Sequence, residues 1–193
     1  MQARLITGVL FAFSFFSLIR AQPPYQLASE LTEFSVSGTS TLHDWTMTLD
    51  KGKSSGEASF TVEGNKLTGV DGLAIKVASE GLKSGKAQMD QNTYNALKTE
   101  EHPHILFEMG KVQNIEEKEG QYHITADGKL TIAGNARDVD LKATCAIEDA
   151  QVTCSGSHPI KLTDFSVDPP SAMFGTIKTG DDITINYRAV FSR

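Results

Sequence analysis

The chain has 193 residues, with 24 acidic against 18 basic, a formal net charge of −6 and 39% hydrophobic residues. That is enough chain for one domain with a real core. No basic stripe is present, so binding to nucleic acid or to anionic lipid surfaces is not expected.

Residues 1–21 read as a secretory signal peptide. Arg4 supplies a positive n-region, residues 5–19 form an apolar run with four phenylalanines, and Ala21 offers a small residue for cleavage before Gln22. The run is shorter than the ~20 residues a spanning helix needs. The polar, turn-rich chain that follows argues against a buried core helix. No cysteine stands near the cleavage point, so a lipid-anchored form is not expected. Cleavage removes Arg4 and Arg20, taking the charge from −6 to −8 and leaving residues 22–193 as one domain. The expected location is periplasmic or secreted, in an oxidising compartment. No later apolar run is long enough to span a bilayer.

Period-two alternation of apolar and polar residues then dominates, the mark of half-buried strands. Phe34 and Val36 open the series, followed by Trp45, Met47 and Leu49, then Phe60 and Val62, then Leu73, Ile75 and Val77. The segment from Asp90 to Lys98 breaks the pattern. It reads as a short helix capped by Asp90, running to about Glu100, with Tyr94 and Leu97 on one face and Pro103 preventing continuation. Strand patterning resumes with Ile105, Phe107 and Met109, then Tyr122 and Ile124, a turn signal at Asp127-Gly128, and Leu130 with Ile132. Residues 163–174 hold Pro169-Pro170 and cannot form a central strand. The last strand carries Ile183, Ile185, Tyr187, Ala189 and Phe191. Eight to ten short antiparallel strands with one helix describe a sandwich or a barrel.

The two cysteines fit neither a redox pair nor a zinc site. Val139, Leu141, Ala143 and Cys145 alternate, as do Val152 and Cys154. A tight turn centred on Asp149-Ala150 places Cys145 and Cys154 opposite each other in a hairpin. A disulfide is the expected outcome; two free buried thiols are the alternative.

Two histidine motifs need weighing. His102-Pro103-His104 could share a strand face, but no third ligand is recognisable and no metal or other cofactor is expected. His43-Asp44 looks like part of a catalytic dyad, yet no nucleophile-elbow serine or free cysteine accompanies it. Hydrogen bonding at the start of the second strand is the plainer role, and no enzyme activity is expected. His123 and His158 look like ordinary strand or loop residues.

Several local strings, taken in order, resemble the YceI-like family of polyisoprenoid-binding proteins. They are Ser40-Thr41-Leu42-His43-Asp44-Trp45, Leu82-Lys83-Ser84-Gly85 with Met89-Asp90, and His102-Pro103 with Ile105 and Phe107. Gly128, Leu130-Thr131-Ile132 and Gly134 follow, then Lys161-Leu162-Thr163-Asp164-Phe165 and Gly180-Asp181. The resemblance covers about residues 31–191. It implies a lipocalin-like antiparallel β-barrel, an apolar tunnel for isoprenoid or other long-chain lipid, and neither catalytic residues nor metal. Cys145 and Cys154 are not part of that pattern, so the disulfide is a local addition.

Combined, these observations predict an exported barrel that sequesters a long apolar lipid. The expected lining is Phe34, Val36, Trp45, Leu73, Ile75, Phe107, Leu130, Leu141 and Ile185, with polar groups at the mouth to orient a head group. The rival from another class is a solid β-sandwich serving as an interaction module. An enzymatic barrel using His43 and Asp44 comes third.

Overall fold

The computed structural model describes residues 23–172 and 175–193; residues 1–21, read above as a signal peptide, lie outside the described residues. The elements run β1 (Tyr25–Leu27), β2 (Glu33–Ser40), β3 (Trp45–Leu49), β4 (Ser54–Glu63), β5 (Lys66–Ala78), β6 (Leu82–Lys83) and α1 (Ala87–Leu97). They continue with β7 (His104–Lys118), β8 (Gln121–Ile132), β9 (Asn135–Glu148), β10 (Gln151–Lys161), β11 (Ser171–Ala172) and β12 (Ile177–Ser192). That makes twelve strands among the described residues against the eight to ten expected. The surplus lies in β1, β6 and β11, which are too short to show an alternation.

All pairings are antiparallel, and they close on themselves. The hydrogen-bonded order runs β1-β4-β5-β7-β8-β9-β10-β12, and β12 pairs back with β1. β12 also carries β2, which pairs with β3, and β3 with β6. This circuit makes the fold a barrel and overturns the solid sandwich. Closure gives period-two alternation a single meaning: one parity faces the interior, the other faces solvent. In β8 the pattern is strict, with Tyr122, Ile124, Ala126, Leu130 and Ile132 all buried.

Two sequence signals turned out differently. Asp127-Gly128 is not a turn, because β8 runs straight through it. The reason lies across the ladder, where β7 slips register between Met109 and Val112. An Asp127 carboxylate oxygen accepts the Lys111 N–H at that bulge. The turns fall instead at Glu119-Gly120 and Ala133-Gly134, where both residues have positive φ, as a two-residue hairpin turn requires.

The helix also begins earlier than expected, at Ala87. Asp90 is therefore not its cap. It lies inside the first turn and accepts hydrogen bonds from the Ser84 N–H at 2.7 Å and the Ser84 hydroxyl at 2.6 Å. Burial pushes its carboxyl up, but these Ser84 bonds and the Lys83 charge outweigh it and hold the group below its usual value. At the other end the helix stops at Lys98, which is left-handed and whose N–H meets the Asn95 and Tyr94 carbonyls. Leu97 is buried in one hydrophobic cluster with Leu82, Val77 and Ile132. The Tyr94 hydroxyl stands 2.9 Å from both the Glu80 and Leu82 carbonyls and accepts from Lys83 Nζ at 2.6 Å. The helix thus seats on one end of the barrel.

The opposite end is plugged. Phe60 stacks edge-on against Tyr25 at 5.3 Å and against Phe191 at 5.4 Å, with Val152 and Leu67 beside them. Cys145 and Cys154 pair directly in the β9–β10 ladder and are bridged, with Cα atoms 4.1 Å apart. Both are buried and face inward.

Leu97→Ala should destabilise the fold by about 2–4 kcal/mol, since it leaves a cavity where helix meets barrel. Urea unfolding followed by circular dichroism checks this; a loss under about 0.5 kcal/mol contradicts the packing described. Peptide mapping without reduction should recover residues 145 and 154 in one cross-linked fragment. Two free thiols would contradict the bridge.

Candidate ligand-binding site

The barrel interior is not filled. Two apolar cavities, which share Ile105 and Ile185 in their walls, run from the aromatic plug to the helix. The inner chamber has a volume of about 160 Å³ and the outer about 330 Å³. A cavity of roughly 150 Å³ with apolar walls takes one benzene-sized group, so the lumen as it stands holds roughly three.

Phe34, Leu73, Ile75, Phe107, Leu130 and Leu141 line the inner chamber. Val36 and Trp45 line the outer, and Ile185 stands at the waist in the wall of both. The nine residues come from seven strands: β2, β3, β5, β7, β8, β9 and β12. Other wall residues were not foreseen. Met89, Thr93, Ala96 and Leu97 come from α1, Val167 and Pro170 from the segment before β11, and Ile177 from the start of β12. These depend on tertiary packing, and no periodicity announces them.

Small residues keep the lumen open. Gly38 faces Trp45 across β2–β3, and a Cβ there would fall 2.5 Å from a Trp45 ring carbon. A Cβ on Gly128 would meet the Phe107 ring at 2.6 Å, and one on Gly156 the Tyr187 hydroxyl at 2.5 Å. Each aromatic side chain therefore occupies the space that a side chain on a glycine of the neighbouring strand would need. Large side chains become wall lining and not filling. Trp45 is held further by its indole N–H, which donates to the Thr39 carbonyl at 2.9 Å.

The inner chamber has two polar features besides the disulfide. His158 and Tyr187 share the inward parity of β10 and β12. Burial pushes the Tyr187 phenol up to about 12, and its hydroxyl donates to the Lys142 carbonyl at 3.1 Å. Burial also lowers His158 below the usual histidine value, partly offset by Asp140. The expectation that His158 is an ordinary strand residue misses this. The clue was available, since Cys154, Gly156, His158 and Ile160 have one parity.

The outer chamber's mouth is polar. Ser40, His43, Lys86, Gln88 and Asn92 surround it, together with the exposed Leu42. The 40–44 loop is a tight turn, in which the Ser40 hydroxyl donates to the His43 carbonyl at 2.8 Å. It is tied to β12 by the Thr41 N–H, which donates to the Lys178 carbonyl. His43 Nδ1 lies 2.7 Å from the backbone carbonyl of Asp44. The dyad geometry needs the Asp44 carboxylate there, and it is not. The segment after β10 is pinned likewise: Thr163 donates its N–H and hydroxyl to the Asp181 carboxylate at 2.9 and 2.7 Å. His102 lies over Gly134, and His104 opens β7. Among the described residues no cluster of three potential ligands is placed to hold a metal.

A closed antiparallel barrel with an apolar lumen under one short helix defines a lipocalin-like barrel. The YceI-like domain matches residues 25–191, and the chain belongs to that family. Solved structures share the fold. A polyisoprenoid-binding domain from Saccharophagus degradans, described as implicated in plant cell wall breakdown, aligns with a TM-score of 0.65 at 10% identity, covering 87% of this chain and 97% of its own. BcnA from Burkholderia cenocepacia aligns at 0.63 with 18% identity, covering 82% and 95%. A YceI protein from Campylobacter jejuni aligns at 0.57 with 18% identity, covering 72% and 81%. A search of curated proteins finds no match.

The depressed His158 value has a consequence for stability. The fold favours the neutral ring, so stability is full above the unfolded value of about 6.5 and declines as pH falls below it. Asp90 and Asp181, whose carboxyls are held low, act only below about pH 4. Melting temperature should therefore drop as pH falls below about 6.5, and His158→Leu should flatten that step. An unchanged pH profile in the variant would contradict the assignment.

Proposed function

We propose that the protein is an exported, non-catalytic barrel that takes a long-chain apolar lipid, of isoprenoid type, into its lumen and shields it from water. The observation that carries this is the lumen itself: two adjoining apolar chambers that share Ile105 and Ile185, with glycines placed beneath the aromatic rings of their walls. Family membership and the neighbour described as a polyisoprenoid-binding domain support an isoprenoid-type cargo. The signal-like segment 1–21 and the disulfide support export.

The mechanism is burial. Enclosing roughly 400 Å² of tail gains on the order of 10 kcal/mol at about 25 cal/mol per Å². Immobilising a flexible chain subtracts several kcal/mol of that. Specificity then follows from chamber length and width. No chemical step is needed, and the displacement of His43 from the Asp44 carboxylate supports a binding role.

Native mass spectrometry of protein recovered from the exported fraction of its own host should show a lipid adduct. Ile75→Asp, which places a charge in the inner chamber, should abolish it. Thr48→Asp, on the exposed face of β3, should leave it intact. Thermal melts of both variants separate loss of cargo from loss of fold. A bare mass for the wild-type protein would end the carrier reading.

A further inference from the structure

The inner chamber is apolar except at one place. On β10, His158 pairs with Ile185 of β12, and Gly156 pairs with Tyr187. His158 and Tyr187 are thus diagonal neighbours on one face, roughly 7 Å apart along the ladder. The missing side chain at Gly156 leaves a slot, and the Tyr187 ring crosses it to reach Lys142 on β9. Ile185 marks the waist of the lumen, so this polar spot lies just inside it. The His158 ring is partly buried and hydrogen-bonds no other described residue. Its ring nitrogens are accessible, so an imidazole at the wall of an apolar chamber offers its donor and acceptor to whatever enters.

The donors and acceptors on offer are specific. A neutral imidazole presents one N–H and one acceptor nitrogen. Tyr187 uses its proton on Lys142 and retains lone pairs to accept with. No lysine or arginine lines the inner chamber. A hydroxyl satisfies this set, since it both donates and accepts. An ether or ketone can only accept. A phosphate or carboxylate would bring an unpaired charge.

Resting on the carrier reading, we infer that His158 and Tyr187 form a hydroxyl-binding subsite inside the barrel, and that the preferred cargo is an apolar chain bearing a neutral hydroxyl. The cargo's polar group then sits at the waist and not at the solvated mouth. The larger outer chamber takes the chain.

Trp45 is the protein's single tryptophan and lines the outer chamber, so its fluorescence reports occupancy. Farnesol, farnesyl methyl ether, farnesene and farnesyl phosphate serve as probes of equal chain length. The wild-type protein should bind farnesol about tenfold more tightly than the ether or the hydrocarbon. His158→Leu should erase that preference, so that farnesol and farnesene bind alike. His158→Gln, which retains a donor and an acceptor, should keep much of it. Tyr187→Phe should weaken farnesol alone. Non-reducing peptide maps and melting curves confirm that each variant folds. Equal binding of farnesol and farnesene, or a preference that survives His158→Leu, overturns the subsite and leaves the carrier standing. Tighter binding of farnesyl phosphate that depends on Lys86 overturns it in favour of a head group at the mouth. Failure of the wild-type protein to bind any probe overturns the carrier reading and the subsite together.

Discussion

Everything in this structure depends on three residues that close a ring of hydrogen bonds. In β1, Gln26 pairs with Ser192 of β12 on one side and Glu57 of β4 on the other. Without that link, β12 and β4 are open edges of a curved sheet, with unpaired N–H and C=O groups on both sides. With it, the apolar parity of every strand is turned inward. The joint is reinforced where it is made: Tyr25 and Leu27 are buried beside Phe60 and Phe191, which belong to the two strands being joined. Hydrophobic packing and ladder hydrogen bonds thus act at one place.

A closed barrel of this size has an interior that side chains can fill completely. Here they do so only at the ends, with the aromatic plug and disulfide at one and the helix at the other. Between them the wall alternates large and small. Trp45, Phe107 and Tyr187 spread over glycines, while Ala126, Ala143 and Ala189 reach less far inward. Protein interiors normally pack as densely as organic crystals, so an apolar void gives up dispersion contacts along its whole lining. A lumen kept open at that cost fits a function that lies in what enters it.

Much of this was legible in the chain because a period of two survives any amount of bending. Phe34 and Val36, Leu73 and Ile75, and Leu130 with Ile132 gave their faces away by spacing alone. The Cys145–Cys154 register was legible because a hairpin ties residues that are local in sequence. What could not be read depends on partners distant in sequence. Asp127-Gly128 has turn chemistry, but a bulge in the adjacent strand uses the aspartate for the Lys111 N–H instead. Asp90 has cap chemistry, but Ser84 takes both bonds. His158 has the right parity to be found, yet parity does not distinguish a solid core from a lumen. The mouth, assembled from the 40–44 loop, α1 and the segment around β11, has no periodicity at all.

The position of β12 in the circuit bears on the order in which the molecule assembles. From β7 to β10 the chain folds as consecutive hairpins, whose contacts are short in sequence and quick to form. The pairings of β12 with β1 and β2 span nearly the whole chain, so their loop-closure entropy is the largest in the fold. Until the final residues arrive there is a sheet with an exposed greasy face, and no container. A chain truncated before Phe191 loses one ring of the plug and both pairings of the seam, and presents just the kind of open, apolar edge that recruits other chains. The full chain gains its interior only in the last step of folding, so whatever the lumen takes in can be enclosed only by a finished molecule.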